Sequence, residues 1–513
     1  MAFSLARKLH RNAAGTWRWL AWLFGVCIVA CSLGGCRAGP SVQAGDLASL
    51  TAALEARLPG LLARYSVPGA SLALVVDGEL AWSRGFGWAD PGQDIPAGPE
   101  TVYQVASISK PVTAWGVMRL VAEGQLDLDA PAGRYLTRWA LPPSPYDPQA
   151  VTLRRLLSHS AGLSVHGYPG LPPGQALPSL EESLSGAGGA AYAVQPVAPA
   201  GQQFSYSGGG YTLLQLIVEE VSGQDFAAWM QAEVLGPLGL QHSSFQWRAD
   251  LRPATAVGHD RRGRALPNYL FTEKAAAGLY TTAEDLARFG AAALPGAQGQ
   301  PAGRGVLSPS AVAALLAPAA AMPPGSVETY LSGMDAYGLG YFIETLPDGS
   351  RWVSHNGGNR GWRSLLVLAP ERRAVLVVLT NGDGGDVIAG EATALWAEWL
   401  GCGLPRRLQR AQSIATVVLA AGSLLLMGWV LWINRFARDL ARGKRRFSRR
   451  LGWKGGLRLL LAVLLAGLWW AGGRQLVEAL LPRLVAGVEW VFLLWTVALA
   501  LGALAAPHQA RGV

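Results

Sequence analysis

The 513-residue sequence predicts a mixed α/β (α+β) fold: an antiparallel sheet flanked by helices, with a mostly helical insertion and C-terminal transmembrane helices. Three observations carry that prediction. Strand-like runs stand near both ends of residues 41–403, and helical periodicity fills most of the span between them. Half of the chain is hydrophobic and only 15% is charged, which excludes a disordered or collagen-like protein. The charge is also partitioned. Residues 1–40 carry a net +5, residues 41–403 a net −9 and residues 404–513 a net +13. Positive charge confined to two ends beside apolar runs is the signature of membrane topology and argues against a nucleic-acid partner.

At the N-terminus, Arg7, Lys8, Arg11 and Arg18 precede an uncharged stretch from Trp19 to Cys36. Residues 1–36 therefore read as a signal peptide or signal anchor. The stretch ends in Leu33-Gly34-Gly35-Cys36, which resembles a bacterial lipobox and makes Cys36 the candidate for lipidation. The other cysteines are Cys27, Cys31 and Cys402, so residues 37–513 have no disulfide framework and no cysteine-based zinc site. No metal or cofactor is expected.

At the C-terminus, residues 413–433 are 21 residues without a charge, enough to cross a hydrocarbon core of ~30 Å. A basic loop at 434–458 follows, with ten Lys or Arg and one acid, Asp439. Residues 459–473 and 484–506 form two more apolar runs, the last interrupted by Glu489, which is expected near the outer interface. Placing the basic loop in the cytoplasm, against anionic lipid headgroups, puts residues 41–403 outside. The N-terminal segment independently assigns the same side.

Within residues 41–403, Asp46–Tyr65 has leucines at helical spacing and predicts a surface helix. Ala70–Val76 and Glu79–Phe86 flank Asp77-Gly78 and predict a hairpin. Ser109–Glu123 is helical, with Pro111 tolerable only in its first turn. Residues 163–203 are rich in Gly, Pro, Ser and Ala and predict a long loop or lid. Tyr211–Val221, Phe226–Val234 and Thr282–Ala293 are helical. Four strands are expected at Leu339–Ile343, Trp352–His355, Ser364–Leu368 and Ala374–Thr380, before a closing helix at Asp386–Leu400.

The sharpest chemical signal is Ser107-Ile108-Ser109-Lys110. Ser107 and Lys110 stand three apart and share a face at a helix start. A serine hydroxyl is a poor nucleophile until a neighbour takes its proton, and a poorly hydrated lysine can do so. Residues 41–403 contain only two lysines, Lys110 and Lys274, against 20 arginines. A lysine retained at this position points to a task arginine cannot perform.

Four further segments follow or surround it. They are Leu156-Leu157-Ser158-His159-Ser160-Ala161-Gly162-Leu163, Phe204-Ser205-Tyr206-Ser207-Gly208-Gly209-Gly210-Tyr211, Gly278-Leu279-Tyr280-Thr281-Thr282-Ala283-Glu284-Asp285-Leu286 and Ser354-His355-Asn356-Gly357-Gly358. Together with the serine–lysine motif they resemble the serine β-lactamase-related family: class C β-lactamases, low-molecular-weight penicillin-binding DD-peptidases and related esterases. The resemblance covers residues 45–400 approximately and implies a serine β-lactamase/DD-peptidase-like fold. It implies that Ser107 is the acylated nucleophile and Lys110 its proton-transfer partner. Tyr206 falls on the family's general base or proton shuttle, and His355 on the residue that opens the third motif. The backbone N–H groups of Ser107 and Gly358 would form the oxyanion hole, with Gly208, Asn356 and Gly357 bordering the substrate. His159 is expected to be a satisfied packing residue.

One departure stands out. The family's Tyr-x-Asn motif ends here in Gly208, so the side-chain amide that contacts a substrate's acyl amide is missing, leaving room for a water. His355 in place of Lys is more similar to certain DD-carboxypeptidases and D-amino-acid peptidases. A small acyl donor with a carboxylate or carbonyl near His355 is expected, with Arg360 or Arg363 as candidate cations. The implied activity is hydrolysis of a cell-wall peptide or D-amino-acid substrate, peptidoglycan fragments included, through an acyl-enzyme. A carboxylesterase and a β-lactamase are the alternatives, and a catalytically inactive receptor is the alternative of another class. Retention of Ser107, Lys110 and Tyr206 favours an enzyme. The implied location is the bacterial cytoplasmic membrane, multi-pass, with the catalytic domain outside. Reporter fusions at Arg252 and Arg446 test this topology: export-dependent reporters are expected to be active at Arg252 and silent at Arg446, and cytoplasmic activity at Arg252 would refute it.

Overall fold

The computed structural model describes residues 40–187, 192–323, 333–447, 453–474, 477 and 485–507. The basic N-terminal segment with Cys27, Cys31 and Cys36 lies outside the described residues. The chain divides into two compact units, Gly39–Leu408 and a second that contains residues 409–513.

The first unit opens with α1 (Leu47–Arg64), whose start is capped by Asp46 accepting from the Ala48 N–H. Strands β1 (Gly69–Val76) and β2 (Glu79–Asp90) form the expected hairpin, with Asp77 and Gly78 both at positive φ as a type I′ turn requires. Short strands β3 (Ile95–Pro96) and β4 (Tyr103–Gln104) lead into α2 (Ser109–Ala122), and Pro111 does sit in its first turn. The insertion contains α3 (Leu153–Leu157), α4 (Leu180–Ser185), α5 (Gly208–Ser222) and α6 (Lys274–Ala277), then β5 (Tyr280–Thr281) and α7 (Ala283–Ala292). The helix Phe226–Met230 continues as a π turn to Leu235. Strands β6 (Ala320–Ala321), β7 (Ala336–Tyr337), β8 (Phe342–Thr345), β9 (Arg351–Asn359), β10 (Trp362–Ala369) and β11 (Ala374–Thr380) precede the closing helix α8 (Gly385–Leu400).

Nine strands form one antiparallel sheet in the order β3-β2-β1-β11-β10-β9-β8-β7-β6. Its middle joins the two ends of the unit: β1 pairs with β11 from Ala70 opposite Thr380 to Val75 opposite Val375. Both central strands are buried on both faces. Along β1, Leu72 and Leu74 face α1 and α8, while Ala73 and Val75 face the layer that holds α2, α5 and α7. This is the two-sided burial expected of a sheet covered by helices on each face.

Two expectations need correction. The strand expected at Leu339–Ile343 is instead β8, because Gly338 donates to Tyr341 O (2.7 Å) and Gly340 lies at φ +94°. Residues 338–341 are thus a turn that joins β7 to β8. The loop 163–203 also contains helix α4, closed by a reciprocal capping box between Ser179 and Glu182 and by Gly186 in the left-handed region.

Among the described residues three helices are long and apolar enough to cross a membrane: Arg406–Ala441, which begins at the end of the first unit, Trp453–Ala471 and Gly487–Leu504. The first two extend beyond the apolar runs into the basic loop, so Arg435, Arg438, Lys454 and Arg458 stand on helices. A helix satisfies its own backbone and need not stop where the apolar run does, while long basic side chains reach polar partners. Arg458 does so by donating to Gly502 O (2.8 Å).

The central sheet is tied to the insertion by Asn381, which follows β11 and is fully buried. Its Oδ1 accepts from the Gly69 N–H (2.7 Å), and its Nδ2 donates to the carbonyls of Trp88, Ala89 and Val257 (3.0–3.1 Å). Asn381→Leu would take the side-chain acceptor from the buried Gly69 N–H, an unmade bond that costs ~1–3 kcal/mol. Ala89 O would keep the Val257 N–H (2.8 Å) and Val257 O would keep His259 Nδ1 (2.8 Å). A loss of about 2 kcal/mol in unfolding free energy is expected by denaturant titration. A loss below ~1 kcal/mol would show that this junction is not under load.

Candidate active site

Ser107 occupies a 3-10 turn, Ala106–Ile108, that runs directly into α2. Ala106 lies at φ +47°, a left-handed conformation that costs a non-glycine residue about 1 kcal/mol or more. Its neighbours impose that geometry. The Val105 N–H donates to Leu279 O (3.1 Å), and Val105 O accepts from Ser364 Oγ (2.8 Å). Ser109 Oγ donates to Ala106 O (2.6 Å) and accepts from the Leu279 N–H (2.9 Å). Strand β9 presses against the same turn, and a Cβ at Gly357 would overlap Val105 O and Ser364 Oγ. Gly357 is therefore a close-approach residue packed against the turn, where the sequence suggested contact with substrate.

Lys110, in the first turn of the helix, is buried, with Nζ 3.1 Å from Ser107 Oγ. Nζ also donates to Ala276 O (2.7 Å), a carbonyl of α6. That helix is pinned by the Thr113 Oγ1–Ala275 O bond and by Gln215, whose amide accepts from Ala275 N and donates to Thr272 O. Around Nζ stand the rings of Tyr206 and Tyr211, at 4.9 and 5.6 Å. Burial pushes the Lys110 ammonium down to about 7. A neutral amine here has a lone pair to offer the Ser107 hydroxyl.

Tyr206 arrives from the segment before α5, with its ring beside Lys110 Nζ. Burial raises its phenol well above the ordinary range, outweighing the lowering influence of nearby Ser107, so the ring stays protonated. His355 is also here, its ring 6.2 Å from that of Tyr206. Both its nitrogens are engaged: Nδ1 donates to Asn356 O (2.7 Å), which leaves Nε2 to accept from the Tyr337 hydroxyl (3.0 Å). Burial, and then the Lys110 charge, push it down to about 3, so it is neutral at working pH. It presents neither charge nor an unoccupied N–H to a substrate carboxylate. Tyr337, which saturates it, carried no signal in the sequence.

The other expected site residues are also on this face. Strand β8 pairs with β9 only from Arg351 to Ser354, so the edge His355–Asn359 extends beyond its partner beside the Ser107 turn. Gly358 and Asn356 are exposed there. Of the candidate cations, Arg363 is committed to Asp383 (3.0 Å) and Asp386 (3.2 Å), while Arg360 lies over the Tyr269 ring (5.2 Å). His159 is only half satisfied. Its Nδ1 accepts from the Ser207 N–H (3.1 Å), but buried Nε2 has no hydrogen-bond partner among the rings of Phe204, Tyr206, Tyr211 and Tyr337.

The space at Gly208 is occupied. A Cβ there would sit 3.1 Å from His166 O and 3.3 Å from the Tyr168 ring. The vacancy expected for a water is filled by residues 166–168, because the Gly208 N–H donates to His166 O (3.2 Å) and draws that loop in.

The chain is similar to known proteins over the unit that holds this site. A family model described as Beta-lactamase matches residues 54–398. The esterase EstB of Burkholderia gladioli is 29% identical over 284 residues, spanning 48% of this chain and 71% of its own. Protein flp of Staphylococcus aureus (strain N315) is 24% identical over 44% of this chain, which spans only 45% of flp. The crystal structure of SurE with D-Leu aligns with a TM-score of 0.52 at 27% identity, covering 68% of this chain and 75% of that one.

The depressed Lys110 has a measurable signature. Its ordinary value is 10.5, so between pH 7 and 10.5 the unfolded chain holds a proton that the native chain lacks. This group's contribution to stability therefore rises with pH across that window, and its burial penalty is complete below about pH 7. The chain has five lysines. In ¹³C-lysine spectra of the whole protein, one resonance is expected to titrate near pH 7 and to vanish in Lys110→Arg. Absence of any such midpoint would refute a neutral Lys110.

Proposed function

The chain belongs to the beta-lactamase family, and from that membership we propose that it cleaves acyl esters through a covalent acyl-enzyme on Ser107. The observation that carries this reading is the 3.1 Å approach of Lys110 Nζ to Ser107 Oγ, with burial holding that amine near neutrality at pH 7. Ser107 Oγ attacks the acyl carbon while Lys110 takes its proton. The Tyr206 phenol, kept protonated by burial, donates to the departing alkoxide and recovers its proton from Lys110. The N–H groups of Ser107 and Gly358 receive the developing oxyanion. Water then attacks the acyl-enzyme and releases the acid.

An ester is favoured over a β-lactam because the motif has Gly208 where an amide would grip the acyl chain. It is favoured over a free carboxylate-bearing peptide because His355 is neutral and closed. The 29% identity to an esterase supports the same choice. A second reading, hydrolysis of a D-amino-acid amide or peptidoglycan fragment, draws support from likeness to a structure solved with D-Leu. In either reading the catalytic unit works outside the cytoplasmic membrane, residues 1–36 direct it there, Cys36 is the lipidated position, and the C-terminal helices hold it at the bilayer.

A fluorophosphonate is expected to label the protein covalently. Ser107→Ala abolishes the adduct, and Lys110→Arg cripples it because a guanidinium does not give up its proton. On the wild type, kcat/KM for p-nitrophenyl butyrate is expected to exceed that for a chromogenic cephalosporin at least tenfold. Labelling of Ser107→Ala at the wild-type rate would refute the mechanism, and the reverse order of substrates would refute the ester reading.

A further inference from the structure

The loop that fills the space beside Gly208 brings a side chain with it. Ser164 to Tyr168 is held from below by the start of α5: Ser207 Oγ donates to Ser164 O (2.6 Å), the Gly209 N–H to Val165 O (3.1 Å) and the Gly208 N–H to His166 O (3.2 Å). Val165 takes φ +65°, a conformation that a β-branched residue adopts only when its surroundings impose it. Tyr168 is anchored, its hydroxyl accepting from Thr212 Oγ1 (2.8 Å) and its ring packed beside Gly208. His166, between them, is not anchored in this way. It is exposed, its ring centroid is 4.9 Å from that of Tyr206, and among the described residues its ring nitrogens hold no hydrogen bond.

The fixed backbone thus presents one imidazole at the rim of the site, on the Tyr206 side, next to the position where the motif has no side chain. Neutral imidazole offers one donor and one acceptor, the same pair as a primary amide offers. We propose that His166 contacts the acyl portion of the substrate, hydrogen-bonding an amide or carbonyl group carried near the scissile ester. The inference rests on the acyl-enzyme reading above and adds a substrate class to it: acyl donors with a hydrogen-bonding group close to the ester carbonyl, N-acylamino esters among them. His166 is a substrate-contacting residue here, separate from the proton path through Lys110 and Tyr206.

The test uses the full-length protein in detergent and two substrates with one leaving group, p-nitrophenyl butyrate and the p-nitrophenyl ester of N-acetylglycine. The rate of Ser107→Ala is subtracted throughout. His166→Ala is expected to lower kcat/KM for the N-acetylglycine ester about tenfold, mainly through KM, the size of effect one hydrogen bond supplies. The butyrate is expected to stay within about twofold. His166→Asn, which restores a donor and an acceptor, is expected to recover most of the loss. An equal fall on both esters would mean that His166 only supports the Tyr206 ring, and no change on either would mean that it touches nothing. Either result overturns the proposal. Fluorophosphonate labelling of the same preparations separates the two levels. A labelled wild type with an unchanged substrate ratio removes His166 alone, whereas an unlabelled wild type removes the acyl-enzyme reading and this inference with it.

Discussion

Burial of the Lys110 ammonium governs the catalytic half of this molecule. A buried cation is normally paired with an acid, and pairing would hold it charged. Here the amine meets a serine hydroxyl, one carbonyl and aromatic rings. Desolvation with so little compensation favours the neutral form. The surroundings then have to be rigid, because any carboxylate or water that reached Nζ would restore the charge. That requirement accounts for the polar ties on α6 and for the close packing of Tyr206, Tyr211 and His159 around the amine.

The same economy of charge extends across the cleft. His355 is closed by Tyr337 and by a backbone carbonyl, His159 has one nitrogen facing rings, and Arg363 is neutralised by two aspartates. The reacting groups therefore work in a weakly polar setting, where dipoles fixed by the backbone turn at Ser107 count for more than they would in water. The strain at Ala106 belongs to this scheme: the turn that aims Ser107 is held by hydrogen bonds from β10, α2 and the segment before β5.

Much of this was legible in the sequence, and for physical reasons. The pairing of Ser107 with Lys110 follows from helix geometry, and the strand β11 from a run of β-branched and aliphatic residues that only a fully buried strand accommodates. Helix α4 was missed although its capping box, Ser179 and Glu182, stands in the sequence; six residues in a Gly- and Pro-rich stretch give periodicity too little to work on. The displaced strand β8 reflects a turn set by Gly338 and Gly340. The closure of His355 and the filling of the space beside Gly208 depend on Tyr337 and on residues 166–168. Both partners are distant in the chain or lie in a segment without periodicity, so no local pattern announces them.

The pairing of β1 with β11 has a consequence for how the chain becomes a protein. Ala70 is made early, yet its partner Thr380 is made near the end of the unit. Until β11 arrives, β1 offers an open apolar edge of the kind that invites pairing with other chains. Contacts this far apart in sequence form slowly, since loop closure precedes any reward from packing. Closure of the central sheet therefore waits on β11, and until then the edge of β1 stays open to other chains.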